Sequence, residues 1–160
     1  MSTRTHETTI VADPDLPTIR MTREFDAPPE KVFRAFTDKD LFARWVGPNS
    51  IGTRIDRWDA TTGGHYRYAA LREGEEIAAF YGSFHEVRAN ERIVQTFTWE
   101  GEPDGVSLEM MTFVDLGNER TRIESVSIVE SMEARDAMMS SGMDVGVKEG
   151  YAKLDELLAS

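Results

Sequence analysis

The chain has 160 residues, 40% of them hydrophobic, enough for one well-buried core and too few for two comfortable domains. Its 18 Lys and Arg stand against 29 Asp and Glu, a formal charge of −11, and no local basic patch interrupts that surface, so nucleic acid and anionic membranes are not expected partners. The absence of cysteine excludes disulfides, thiol nucleophiles and thiolate metal sites, and no apolar run is long enough to span a bilayer or drive secretion, so a soluble, cytoplasmic protein is expected.

Residues 1–17 are polar and punctuated by Pro14 and Pro17, which predicts a flexible leader with at most a short strand around Thr8 to Val11. One domain, 18–160, follows. Residues 18–25 alternate, with Ile19, Met21 and Phe25 on one face and Arg23 interrupting it, as in a half-buried strand. Pro28, Pro29 and Glu30 suit the first turn of a helix whose buried stripe is Val32, Phe33 and Phe36. Asp38 can cap a second short helix that turns Leu41, Phe42 and Trp45 inward before Gly47 and Pro48 end it.

From Arg54 onward, alternating segments separated by turn residues predict strands over 54–60, 65–71, 76–87, 92–99, 106–116 and 120–129. Tyr66 and Tyr68 share a face, as do Phe80, Gly82, Phe84 and Glu86, and likewise Ile93, Gln95, Phe97 and Trp99. Gly117 and Asn118 signal a hairpin between the last two strands. Short turns between successive strands predict an antiparallel meander. Ser131 is a suitable N-cap for a helix over 132–139, and a further helical stretch continues to the end after a kink near Gly142.

Gly142, Gly146 and Gly150 recur every four residues in that stretch, beside an apolar stripe of Met139, Met143, Val147, Tyr151, Leu154 and Leu158. Glycine costs about 1 kcal/mol against alanine inside a helix, so a bare flank needs a reason. Either it leaves room for a guest against the sheet, or Gly142 caps one helix and the other two permit close packing. The whole reads as an α+β fold: a curved antiparallel sheet of about six or seven strands around a long C-terminal helix, with two short helices after the first strand.

His6, His65 and His85 fall on separate segments, so neither a metal nor any other cofactor is expected. Ser50 between Gly47 and Gly52 has the wrong spacing and the wrong preceding element for a nucleophile elbow, and no phosphate-cradling glycine loop is present. No residue is assigned as catalytic. The aromatic residues Trp45, Tyr66, Tyr68, Phe80, Phe84, Phe97 and Trp99 fall on elements able to face the terminal helix, and such a lining suits an apolar or aromatic guest. The alternative is that they fill the core, as aromatic stripes usually do. Met110, Met111, Met138, Met139 and Met143 would make an adaptable wall. Ser125 and Ser127 place hydroxyls inside or outside according to register. Glu86, on the face of Phe80 and Phe84, is either a buried carboxylate of raised pKa or the partner of Arg23 or Arg67.

Several stretches together resemble a known family: TREFDAPPEKVFRAFTD at 22–38, Trp45-Val46-Gly47-Pro48, Gly63-Gly64-His65-Tyr66-Arg67-Tyr68, Gly82-Ser83-Phe84-His85-Glu86-Val87, Glu91 to Thr96, and SGMDVGVKEGYAKLDELL at 141–158. They are similar to the bacterial homologues of the heat-shock-protein-90 ATPase activator, within the START-like (SRPBCC) helix-grip superfamily, over about residues 16–159. The resemblance implies a curved sheet gripping the C-terminal helix, with a cavity between them that in many relatives holds a hydrophobic small molecule. Some relatives bind a chaperone and others are cyclases or hydrolases. No catalytic motif is shared across the group.

Three readings follow. The first is binding of a small hydrophobic or aromatic molecule between sheet and helix, by Trp45, Tyr66, Tyr68, Phe80, Phe84, Glu86, Phe97, Trp99, Met143 and Val147. The second is an enzyme acting on such a molecule with Glu86, Tyr68 or His85 as acid or base. The third is a chaperone or other protein-interaction module, a role that the short leader, with no additional domain, argues against. The edge strands of such a sheet can also pair into a homodimer.

Overall fold

A computed structural model describes residues 6–160, and all their strands belong to a single antiparallel sheet. The strands are β1 (Thr9–Ala12), β2 (Thr18–Phe25), β3 (Gly52–Trp58), β4 (His65–Arg72), β5 (Glu75–Arg88), β6 (Arg92–Trp99), β7 (Ser107–Gly117) and β8 (Arg120–Ile128). Their spatial order is β1-β2-β8-β7-β6-β5-β4-β3, so the expected meander is closed by β2 lying beside β8. The sheet has eight strands where the sequence predicted six or seven. The extra one is the short N-terminal strand, whose Thr9 and Ala12 pair with Thr22 and Ile19 of β2. The first five residues of the leader lie outside the described residues.

Of the four helices, α1 (Pro29–Thr37), α2 (Lys39–Trp45), α3 (Met132–Ser140) and α4 (Met143–Ala159), all but α3 bury residues in the core on one face of the sheet, here the inner face, and α3 packs on α4. Pro29 opens α1, where its missing N–H costs nothing. Asp38 ends α1 and caps α2, accepting from the backbone N–H groups of Asp40 and Leu41. Ser131 caps α3 through Ala134 N. Phe25, Val32, Ile123 and Leu154 are fully buried at the heart of the core, where Phe33 and Phe36 meet Phe113 edge to face.

The glycines of the last helical stretch take the plainer alternative. Gly142 sits between α3 and α4 with φ +85°, a left-handed conformation that side chains disfavour. A Cβ on Gly150 would stand 3.1 Å from the Trp45 carbonyl oxygen, and one on Gly146 would touch the Pro48 ring. The bare flank of α4 therefore packs on the loop that follows α2, and not on the sheet. Glu149 accepts from Asn49 N and Lys153 donates to the Pro48 carbonyl along the same seam.

Candidate functional site

Strand β7 sends Ser107, Glu109, Met111 and Phe113 to the inner face. Register places Glu109 between Gln95 of β6 and Ser127 of β8. Ser127 Oγ donates to Glu109 Oε2 at 3.3 Å, Gln95 also bonds the carboxyl, and Gln95 Nε2 donates to Tyr66 Oη at 3.3 Å. A row of polar groups thus crosses the middle of an otherwise apolar face. Glu109 is only half-buried, yet protein surrounds it closely enough that burial pushes its carboxyl up to about 7, outweighing the bonds from Ser127 and Gln95.

Tyrosines surround this carboxyl. Burial first, and the Glu109 charge second, push the Tyr66 and Tyr68 phenols of β4 far up and the Tyr151 phenol of α4 to about 12. Tyr66 and Tyr68 are stacked with centroids 6.1 Å apart, Tyr66 lies 5.2 Å from Phe84, and Tyr68 lies 5.3 Å from Phe80. Phe80 in turn stacks on Phe97 at 5.2 Å. The Tyr66 hydroxyl donates to the Thr96 carbonyl at 2.7 Å by crossing over Gly82, where a Cβ would fall 1.9 Å from that carbonyl oxygen. Two more hydroxyls on the inner face, Ser107 and Ser125, are buried without a hydrogen-bond partner among the described residues.

Of the residues singled out in the sequence, Tyr66, Tyr68, Phe80, Phe84 and Phe97 come together around Gln95 and Glu109. Trp45 lies in the helical layer instead, its indole N–H donating to the Ala35 carbonyl and its ring against Phe36 and Phe42. Val147 is half-buried against the core cluster, and Met143 is half-buried at the start of α4. Trp99 ends β6 with 46% of its surface exposed, its indole folded over Gly101.

Glu86 corrects the sequence reading. A register shift between Phe84 and Glu86 sets Glu86 opposite Val94, on the outer face. There the Arg88 guanidinium bonded to it, helped by Arg92, holds its carboxyl below the usual range, so Glu86 is an arginine's partner and not the buried acid of raised pKa. Neither suggested partner reaches it. Arg23 binds Asp155 of α4 through both terminal nitrogens at 2.9 and 2.6 Å, and Arg67 pairs with Asp56 and Glu100. His85 falls within the same bulge and is exposed.

Elsewhere, a half-open depression of about 240 Å³ lies by the β1–β2 edge, lined by His6, Glu7, Thr9, Thr22, Arg23 and Glu24. It shares no residue with the aromatic group. Among the described residues no three potential metal ligands converge, and no helix is long and apolar enough to cross a membrane.

The model of one protein family, described as Activator of Hsp90 ATPase homolog 1-like protein, matches residues 26–159, nearly the whole of the sheet-and-helix unit. The chain belongs to this family. Members of the same fold have been solved from several bacteria. A protein from Chromobacterium violaceum is 26% identical, with a TM-score of 0.75 over 90% of this chain and 98% of that one. Proteins from Arthrobacter aurescens and Mycobacterium smegmatis, both 24% identical, align with TM-scores of 0.85 and 0.84 over 94% and 95% of this chain and 91% and 97% of theirs. The family match and these likenesses agree with the START-like helix-grip fold that the sequence suggested. No curated protein matches the chain.

Proposed function

We propose that the protein binds a small apolar or aromatic molecule between the inner face of β4–β8 and helix α4. The observation that carries this reading is the polar row Gln95–Glu109–Ser127, set beside Tyr68, Phe80 and Phe97, three rings that stay half-buried on the inner face. A face built only for stability would bury Phe80, Phe97 and Tyr68 and would not spend a carboxyl at its centre, because an unpaired buried charge is costly. Apolar walls with a few oriented polar groups are the usual construction of a small-molecule site. The family to which the chain belongs has a fold suited to ligand binding or interaction, which is consistent with this reading.

The neutral dye N-phenyl-1-naphthylamine tests it. Its emission should rise saturably with the protein, and Val147→Trp, which fills the space beside α4, should abolish the rise. Leu108→Trp on the outer face should leave it intact. Equal dye binding by both folded variants, or none by the parent protein, would overturn the reading.

One observation favours a second reading, an enzyme acting on the same molecule. A carboxyl near 7 is poised to take and return a proton at neutral pH, so the acid or base would be Glu109, in place of Glu86 or His85. Turnover that is lost in Glu109→Gln while dye binding persists would establish it.

A further inference from the structure

Glu109 lacks what a central carboxylate ordinarily has, a cation. Its partners, Gln95 and Ser127, are neutral, and burial wins over both. Arg23, the guanidinium on the inner face of β2, is committed to Asp155 through two short bonds and lies over the Phe25 ring at 4.8 Å. The other titratable groups that face Glu109 are the phenols of Tyr66 and Tyr68 from β4 and Tyr151 from α4, all kept neutral. Among the described residues no cation is left to face Glu109, so a countercharge would come from outside them.

The surroundings fit a particular kind of countercharge. Aromatic faces attract organic cations, and the half-buried Tyr68 ring, between Tyr66 and Phe80, lies near the carboxyl. Ser125 pairs with Met111, whereas Ser107 lies two residues to the other side of Glu109, so the two unpartnered hydroxyls stand apart and neither supplies a countercharge. An ammonium group carries three N–H donors, which a carboxylate can accept through both oxygens. The formal charge of −11 adds long-range attraction for cations.

We propose that this site selects a lipophilic amine in its ammonium form, with the apolar body against Phe80 and Phe97 and the nitrogen on the Glu109 carboxylate. The proposal rests on the binding reading above and narrows it to a class of ligand. An ammonium held there favours the ionised carboxylate, so binding near neutral pH expels a proton from Glu109.

The test uses 4-phenylbutylamine and its neutral counterpart 4-phenylbutan-1-ol, titrated calorimetrically into the full chain. At pH 8 the amine should bind at least about tenfold more tightly than the alcohol. At pH 5.5, with Glu109 protonated, that preference should shrink toward unity, although the amine itself stays charged. Titrations at pH 7 in buffers of different ionisation enthalpy should show proton release with the amine and none with the alcohol. Glu109→Gln should bring the amine down to the level of the alcohol. The pH ratio in the unmodified protein stands as a test even if that variant does not fold. Equal or tighter binding of the alcohol at pH 8, or a preference for the amine unaltered at pH 5.5, would overturn the assignment of an amine while leaving the binding site in place. Failure of both compounds with dye binding intact would also overturn it. Failure of the dye as well would remove the site itself.

Discussion

The inner face of the sheet has two unlike halves. Beneath α1 and the second half of α4, Phe25, Val32, Ile123 and Leu154 are at most 1% exposed, and rings close over one another edge to face. Toward β4–β6 and the first half of α4, Tyr68, Phe80, Gln95, Phe97, Glu109, Met143 and Val147 all remain half-buried around a polar centre. Both halves draw on similar aromatic residues and the same strand geometry. What differs is the roof: the first half meets α1 and the Leu154 to Leu158 turn directly, whereas α4 presses its glycine flank on the α2 loop. Aromatic content alone therefore does not distinguish a core from a site. The distinction lies in whether neighbouring elements descend far enough to touch.

The contrast can be broken most severely at Asp155. Asp155→Ala leaves Arg23, 4% exposed, with its charge unpaired in the packed half and should cost about 3–5 kcal/mol in urea unfolding. A loss below about 1 kcal/mol would mean that water reaches Arg23. A paired truncation sharpens the comparison further. Leu154→Ala should cost about 2–5 kcal/mol, while Phe97→Ala in the open half should cost under about 2 kcal/mol despite the larger side chain removed. Equal costs would mean that the two halves are packed alike.

Glu109 gives the third test, through pH. Its folded carboxyl, near 7, lies above the ordinary 4.5, so the folded state binds the proton more tightly. Below pH 4.5 Glu109 subtracts nothing. Between about 4.5 and 7 stability falls as the unfolded chain ionises first, and above 7 the full cost persists. Glu109→Gln should therefore stabilise the protein by about 2–3 kcal/mol at pH 8 and by nothing at pH 4, read from melting curves. A pH-independent effect would place the carboxyl in solvent. Gly82→Ala strikes the strand crossing itself: its methyl would stand 1.9 Å from Thr96 O and 2.8 Å from the Tyr66 hydroxyl, so it should cost at least about 1–3 kcal/mol and weaken dye binding by displacing Tyr66. Unaltered binding would remove Tyr66 from the site.

Much of the frame was legible because local signals and tertiary demands agree. Pro28, Pro29 and Asp38 mark the two short helices, Ser131 marks α3, and Gly117-Asn118 turns β7 into β8 as expected. Period-two alternation put Gln95 and Phe97 on one face, and the structure turns Ser125 and Ser127 inward with Ile123. Alternation failed at Glu86, since one extra residue beside His85 moves it to the other face and nothing in the sequence announces that bulge. Glu109 escaped notice for a different reason. A lone Glu in a strand ordinarily reads as a solvent-facing residue, and counting pairs outward from the hairpin does not reveal its neighbours, because a register shift between Asp115 and Gly117 offsets the pairing by one residue before Phe113 meets Ile123 and Glu109 meets Ser127. The seat of α4 on the α2 loop was not legible either, because contact between distant segments leaves no periodic trace.

The adjacency of β2 and β8 bears on how the molecule assembles. Pairing Thr18 with Ile128 closes a loop containing all of β3 to β7, so this junction carries the largest loop-closure entropy in the sheet. The hairpins of β3 to β8 can zip sequentially from local turns, whereas β2 and the Arg23–Asp155 bridge that ties it to α4 must wait for them. Early in folding, the rings that later surround Glu109 lie bare on a partly formed sheet. In the interval before the first long strand docks, the formal charge of −11 sets one exposed sheet against another and so opposes their pairing.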